Sequence, residues 1–356
     1  MEFKASAKSP GDATAESDSA EDFYLQWHLT EKCNRRCAHC YHSSYQSSGE
    51  YSLEQLDASL GLMEEALRLW QRKGSFSLTG GEPFLRRREL FHLMDRLDAS
   101  NVAAYYDILT NGSLICDKDI RRLREASKLR RIQLSLEGAT AGENDAIRGD
   151  GDYASTLRAI DLLKEAGLEV SVMETVTRRN MASITAMVDL LAAHKVDAFA
   201  VERHIPEGTG RAMRELSLSP EEARQVFQLV HSIGVAERRV RILMHRPLFT
   251  LLDRYDSSVG AVCSVGINAL TVMHDGTVYP CRRLPIPLGN ILEDGLFKIW
   301  YDSAFLWSVR ESARIDGCGD CELVSLCRGC RAMAYHVTGD VLARDPQCWK
   351  DQPCTA

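Results

Sequence analysis

No stretch of the chain approaches the roughly 18 consecutive apolar residues that a membrane-spanning helix requires, and no positively charged start leads into an apolar signal core. These absences speak against a secreted or membrane-anchored protein, so no membrane partner and a cytoplasmic location are expected. Basic residues are not in excess either: 43 Lys and Arg stand against 50 Asp and Glu, a formal charge of −7. Counterion-release binding needs a basic face, so no nucleic-acid partner is expected. The short runs Arg86-Arg87-Arg88 and Arg121-Arg122 are read as solvated helix faces. Repeats of fixed period and low-complexity segments are also lacking, apart from residues 1–22. These are rich in Ser, Ala, Asp and Glu and almost free of large apolar side chains, the composition of a disordered tail.

What the chain does have is cysteine, twelve in 356 residues. Reducing compartments keep ordinary thiols unpaired, so this abundance points to metal rather than to disulfides. The remaining composition, 45% hydrophobic and 26% charged, is that of a globular protein with a sizeable core. Length allows two or three domains, or one barrel with an appendage.

From Asp22 onward short apolar runs alternate with helical patterns. Strands are expected at 23–29, 75–78, 103–109, 131–136, 170–176 and 198–205. Ser52-Leu53-Glu54-Gln55 opens a helix as a capping box, and Leu53, Leu56, Leu60, Met63, Leu67 and Trp70 recur on one helical face. Further helices are expected around Leu90–Leu97, 119–127, 153–165, 183–194 and 220–233. Six strand–helix units with short connections predict parallel strands joined by right-handed crossovers, a β/α barrel or part of one. The rhythm changes after about residue 235. Val240–Met244 and Leu270–His274 then look like strands, and Asp275-Gly276 is a hairpin turn signal.

Three cysteines follow the first strand in Cys33-Asn34-Arg35-Arg36-Cys37-Ala38-His39-Cys40. They are too few for a closed zinc site and too close together for a relaxed disulfide framework. An iron–sulfur cluster with one open iron suits them; incidental loop cysteines or a partial zinc knuckle are the plainer alternatives. The C-x3-C-x2-C spacing resembles the signature of the radical S-adenosylmethionine (SAM) superfamily, in which an aromatic residue, here His39, precedes the third cysteine. The resemblance covers about residues 23–235. It implies a partial (β/α)6 barrel in which Cys33, Cys37 and Cys40 hold a 4Fe-4S cluster that chelates SAM.

Several strand ends then match positions that contact SAM in that family. Gly80-Gly81-Glu82-Pro83 resembles the motif that binds the SAM amino group: the glycines permit close backbone approach and the carboxylate suits an ammonium. Thr110-Asn111-Gly112 resembles a turn of the family in which Asn111 would be a ligand, although such a turn also has a purely structural explanation. Ser135 and Glu137 match contacts to the SAM carboxylate or ribose, with Glu137 standing where relatives often carry Asp. Arg148 resembles an arginine that reaches the methionine carboxylate; its plainer reading is a solvated loop residue. Glu174 and Glu202-Arg203 would face the barrel mouth, but a one-residue slip would turn them outward.

Seven more cysteines follow: Cys263, Cys281, Cys318, Cys321, Cys327, Cys330 and Cys348. A zinc module competes here, but zinc ribbons place about 15–20 residues between their pairs, whereas five separate Cys321 from Cys327. The pattern resembles the SPASM domain, whose full form carries two auxiliary 4Fe-4S clusters. That resemblance assigns Cys318, Cys321, Cys327 and Cys348 to an outer cluster and Cys263, Cys281 and Cys330 to an inner one, and divides the chain into a tail at 1–22, a barrel at 23–235 and a bridging and SPASM region at 236–356. Two residues stand between Cys327 and Cys330 where the family usually has three. Cys116 is read as a buried thiol and Cys354 as a tail residue.

The resemblance implies hydrogen abstraction from a precursor peptide, which is expected to contain cysteine, followed by oxidation or a thioether or carbon crosslink. A flavodoxin or ferredoxin would be the electron donor. The second expectation is oxidation or decarboxylation of a tetrapyrrole side chain, for which Arg282 and Arg283 could pair with propionates. A non-catalytic electron-transfer protein is the third, opposed by the intact Gly80–Pro83 motif. In sulfatase-activating relatives an aspartate base occupies the position of Arg282, so that activity is not expected.

Overall fold

The computed structural model describes residues 22–46 and 48–350. The expected tail therefore lies, but for Asp22, outside the described residues, as does Cys354. Six parallel strands form the centre: β1 Phe23–His28, β2 Gly74–Thr79, β3 Ala103–Thr110, β4 Leu129–Ser135, β5 Val170–Val176 and β6 Ala198–Arg203. Between them run α1 Leu53–Leu69, α2 Arg87–Ala99, α3 Asp117–Glu125, α4 Ala141–Arg148, α5 Asp152–Glu165 and α6 Ile184–Ala193, with α7 Pro220–Ala236 after β6. This is the expected partial (β/α)6 barrel, with a cysteine-rich region after it.

Strand alternation sorts the side chains into two faces. Leu25 and Trp27 of β1 pair in register with Phe76 and Leu78 of β2, and the row continues through Tyr106, Ile108, Ile132, Leu134, Val170 and Val172. All of these are buried in one core with Leu56, Leu60, Met63 and Leu67 of α1. Burial of each such aliphatic side chain stabilises the fold by about 1.5–3 kcal/mol. The opposite face carries Gln26, His28, Ser75, Ser77, Thr79, Asp107, Gln133, Ser135, Ser171, Thr175 and Glu202. Such a face is built to hold something polar.

Local signals explain the element starts. Ser52 and Gln55 form the expected reciprocal cap of α1, and Ser219 and Glu222 do the same for α7. One helix was not expected: α4 precedes α5 in the β4-to-β5 crossover, and its signal was present as the Thr140–Glu143 capping box. Arg148 is therefore the last residue of a helix and is buried, not a solvated loop residue. Arg86 likewise departs from a solvated face, since its guanidinium donates to the carbonyls of Leu29 (2.9 Å) and Tyr51 (2.8 Å).

The sheet continues across residue 235. β7 Arg241–Leu243 adds in parallel to β6, and β8 Ala269–Val272 adds in parallel to β1 on the opposite side. An antiparallel ribbon of β9 Thr277–Tyr279 and β10 Gly289–Asn290 completes the order β10-β9-β8-β1-β2-β3-β4-β5-β6-β7. Asp275-Gly276 is the β8–β9 turn, as its sequence predicted.

Candidate active site

The loop from Leu29 to His42 is held along much of its length. Leu29 N–H donates to Thr79, Gly81 N–H to Thr30 and Glu82 N–H to Lys32, so backbone pairing between the β1 and β2 connections persists beyond the strands. A side chain at Gly80 would meet the Thr30 carbonyl oxygen at 2.5 Å, and one at Gly81 the Lys32 oxygen at 2.3 Å. The two glycines thus permit a close approach of the chain's own backbone, the one that delivers Cys33. Further along, Ala38 N–H donates to Ile147 at 2.7 Å and Gly210 N–H to Cys40 at 2.9 Å.

Cys33, Cys37 and Cys40 are half-buried and unpaired. Backbone N–H groups point at two of their sulfurs, Arg35 at Cys33 (3.4 Å) and His42 at Cys40 (3.4 Å), and Asn111 Nδ2 lies 3.8 Å from Cys33 Sγ. Burial pushes the Cys33 thiol up and the Cys37 thiol to about 11. Such thiols become thiolates only when a metal centre supplies the compensating charge.

Glu82 is fully buried, and its carboxylate accepts from Phe84 N–H (3.0 Å), Thr110 Oγ1 (2.7 Å) and Asn111 N–H (2.8 Å). It therefore ties the end of β2 to the end of β3, with Pro83 buried beside it. Burial raises its pKa, against those three donors. Asn111 also donates to Asn34 Oδ1 at 2.9 Å, which anchors the cysteine loop from a second side.

A second buried network holds the loop from the α4 side. Glu137 Oε1 meets His39 Nε2 at 3.0 Å and Arg148 Nη1 at 3.2 Å, and its Oε2 accepts from Thr175 N–H at 2.6 Å. Burial opposes its charge, but His39, Arg148 and the Thr175 amide outweigh that and hold it below the usual carboxylate range. Arg148 Nε pairs with Asp152 at 2.7 Å, and Arg35 reaches the same carboxylate at 3.2 Å. The structure thus brings His39, Glu137 and Arg148 together at the cysteine loop. Ser135 is half-buried at the end of β4, opposite Met173. Asn144 and Asp152 belong to this network and were missed by sequence reasoning, which expected no helix at Ala141–Arg148.

The strand-end acids separate by face. Glu202 pairs with Arg246 and, at 3.0 Å, with Arg283. Arg203 points the other way, to Asp345 at 2.8 Å. Glu174 shares its face with Val172 and Val176, and both its oxygens are buried without a partner. Burial, then Glu137 and Glu143, push its pKa well up.

The carboxy-terminal cysteines fall into two sets. Cys318, Cys321, Cys327 and Cys348 line one cavity, with Leu248, Arg344 and Lys350 at its wall. Lys350 Nζ lies 3.4 Å from Cys321 Sγ, and Arg344 donates to Cys348 Sγ at 3.6 Å. Cys263, Cys281 and Cys330 lie near one another; burial, with the neighbouring cysteines, pushes Cys281 to about 12. The shortened Cys327–Cys330 spacing has a structural counterpart, because Arg328 and Gly329 both take left-handed backbone at φ 62° and 60°. Arg328 accepts that conformation while buried, its guanidinium donating to the carbonyls of Cys263, Val265 and Val309. Among the described residues no three His, Cys, Asp or Glu converge closely enough to hold a single metal ion. Cys116, expected to be buried, is exposed at the start of α3.

A buried polar cluster joins the two cysteine regions. Arg282, which follows Cys281, is buried; its Nη2 lies 3.2 Å from His42 Nδ1, and its guanidinium stacks 4.2 Å over Tyr41. Glu207 sits 3.7 Å from Arg282 and 3.7 Å from His336, and burial pushes its pKa up to about 7 despite the nearby arginines. Tyr41, His42 and Glu207 had no motif to mark them. Their only signal was position, just after the third cysteine and after the sixth strand.

The family model for the radical SAM superfamily matches residues 27–191, and that for the SPASM iron–sulfur cluster-binding domain matches 263–331. Mycofactocin maturase MftC of Mycobacterium ulcerans is 31% identical over 340 residues, covering 91% of this chain and 87% of that protein. The chain belongs to the radical SAM superfamily, with a SPASM domain in its carboxy-terminal part. The AdoMet-dependent heme synthase of Methanosarcina barkeri is 29% identical over 343 residues, 91% of this radical SAM chain and 95% of that protein. Among solved structures, Streptococcus suis SuiB bound to S-adenosylmethionine superposes with a TM-score of 0.75 at 19% identity, over 93% of this chain and 78% of that one. The AdoMet-bound enzyme anSMEcpe gives 0.73 at 22%, over 91% and 90%. These two likenesses concern the fold.

The cofactors of this radical SAM–SPASM enzyme are 4Fe-4S clusters and SAM, and the donor sets described above fit them. Half-buried unpaired thiols with amide N–H groups directed at sulfur are the environment that iron–sulfur ligands require. Among the described residues no helix is long and apolar enough to cross a membrane.

Proposed function

We propose that this radical SAM–SPASM enzyme modifies a ribosomally made peptide by hydrogen abstraction followed by oxidation. Cys33, Cys37 and Cys40 would hold the SAM-binding cluster, with SAM placed against His39, Gly80–Pro83, Asn111, Ser135, Glu137 and Arg148. Cys318, Cys321, Cys327 and Cys348 would hold an outer cluster, and Cys263, Cys281 and Cys330 an inner one. When bound, these groups supply a 5'-deoxyadenosyl radical as hydrogen acceptor and a route for the surplus electron.

The chain's own part is placement. The observation that carries the reading is the 3.2 Å contact between Arg282 and His42, which seats the residue after Cys281 against the loop of Cys40. A substrate held against that contact would lie beside both cysteine regions, as abstraction followed by electron removal needs. Glu207 Oε2, buried without a hydrogen-bond partner, can take the proton that leaves on oxidation, since its pKa is about 7. Likeness to the mycofactocin maturase supports a peptide substrate, which is expected to contain cysteine. A flavodoxin or ferredoxin would donate the electron.

The second reading is side-chain oxidation or decarboxylation of a tetrapyrrole, favoured by the buried Arg282 and by likeness to the heme synthase. Anaerobic incubation of reduced enzyme and SAM with peptides encoded beside the gene, and separately with iron coproporphyrin III, tests both. The peptide reading expects 5'-deoxyadenosine together with a mass loss in a peptide. A mass loss in the porphyrin alone overturns it.

A further inference from the structure

Five arginines are buried among the described residues: Arg148, Arg203, Arg282, Arg328 and Arg331. Four of them are hydrogen-bonded as buried guanidinium groups must be. Arg148 has Glu137 and Asp152, Arg203 has Asp345 and Gln347, Arg328 has three carbonyls, and Arg331 has the carbonyls of Val341 and Ala343. Arg282 is the exception. No oxygen accepts from it within hydrogen-bond length: its one hydrogen bond is to a ring nitrogen of His42 and its nearest carboxylate, Glu207, stands at 3.7 Å, while its Nε, like those of Arg328 and Arg331, is buried with no partner.

The other acids near it do not make up the deficit, because Glu202 is taken by Arg246 and Arg283 and Glu31 is directed at His42, 3.8 Å from its Nδ1. Tyr41 beneath the guanidinium and His42 at its edge hold the group in place and add no negative charge at neutral pH. A rigid, desolvated fork from which no oxygen of the described residues accepts is a recognition element for a carboxylate from outside, since guanidinium and carboxylate match in two-point geometry.

We propose that Arg282 anchors a carboxylate of the substrate between the Cys33–Cys40 loop and the Cys263, Cys281 and Cys330 set. The carboxylate is either that of a peptide or a propionate of a tetrapyrrole. The anchor deepens the function proposed above and rests on it for the presence of a substrate there.

The full-length protein, its clusters reconstituted without air, is titrated with two probe pairs. One is iron coproporphyrin III and its tetramethyl ester; the other is a short synthetic peptide with a free carboxyl terminus and the same peptide amidated. In at least one pair the acid is expected to bind about tenfold or more tighter than the masked form, the scale of a lost charge-assisted pair. Arg282→Gln should erase the preference, Arg282→Lys should weaken it, and Arg158→Gln, an exposed arginine on α5, should leave it intact. The pair that shows the preference identifies the source. Iron content and cluster absorbance report whether each variant is assembled, and Arg282→Lys decides if Arg282→Gln is not. Equal binding of acid and masked forms in both pairs, or a preference that survives loss of the fork, overturns the anchor. Reductive SAM cleavage is followed in the same samples: cleavage without acid preference rejects the anchor alone, and no cleavage by the parent protein rejects the enzyme reading.

Discussion

The two cysteine regions solve one problem in opposite ways. The amino-terminal set packs three thiols into eight residues and is held by backbone bonds to the β2 connection and to the end of α4. The carboxy-terminal set draws seven thiols from residues 263–348, where the helices are seven or eight residues long at most after Leu296. The first site is therefore pre-formed by the barrel, whereas order in the second depends on what its thiols bind. Local binding sites inherit the stability of their scaffold; dispersed ones contribute to it.

The strongest way to break this contrast is to remove each set in turn. Replacing Cys33, Cys37 and Cys40 with Ala should abolish SAM cleavage and lower iron from about twelve to about eight per chain, with far-ultraviolet circular dichroism unchanged. A collapsed spectrum would mean that the first site is not pre-formed. Replacing Cys318 and Cys321 with Ala should abolish product yet leave uncoupled SAM cleavage, and protease digestion should cut first after residue 240. Loss of all cleavage there would make the second region a structural part of the barrel.

A smaller effect sharpens the claim that the barrel itself holds the first loop. Arg148→Ala removes from two buried acids the cation they share, leaving Glu137 with His39 and Asp152 with Arg35, so denaturant unfolding should show a loss of at most about 3–5 kcal/mol. A change below about 1 kcal/mol would show that the α4 network is incidental to the loop.

The smallest effect lies in the polar cluster between the regions. Glu207 is raised from 4.5 to about 7, so it is neutral below that pH and able to accept a proton above it. Product formation should rise with pH through about 7, and Glu207→Gln should flatten that limb while SAM cleavage without substrate stays the same. The stability sign is opposite to that of a paired acid: folding favours the neutral form, so the folded state loses stability as pH rises from 4.5 to about 7. An unaltered pH limb in the variant would remove Glu207 from the proton's path.

The radical SAM identity was legible because its signals are local. C-x3-C-x2-C, Gly80–Pro83 and the strand–helix alternation each depend on neighbours in sequence, and the turn at Asp275-Gly276 follows from the same kind of chemistry. The α4 helix was missed although its capping box at Thr140 and Glu143 was visible, since eight residues of mixed polarity give no apolar stripe. Arg148 accordingly had a solvated loop as its plainer reading, beside its resemblance to a SAM-contacting arginine. At the two glycines the backbone that approaches is the chain's own, at Thr30 and Lys32, and a close approach says nothing in sequence about which backbone approaches.

By itself, the sequence determined the partial barrel, the cofactor class and the two groups of cysteines, since spacing and periodicity are properties of a chain before it folds. Tertiary structure alone decided which charges meet. Glu82 bonds to Thr110 and Asn111 at a separation of 28 and 29 residues, and Arg282 meets His42 across 240. Burial then sets how each group is compensated: Glu174 has no hydrogen-bond partner and a raised pKa, Arg148 has two carboxylates and Arg282 has none within hydrogen-bond length. Desolvation acts on the space around a side chain, and that space is assembled from strands and loops far apart in sequence.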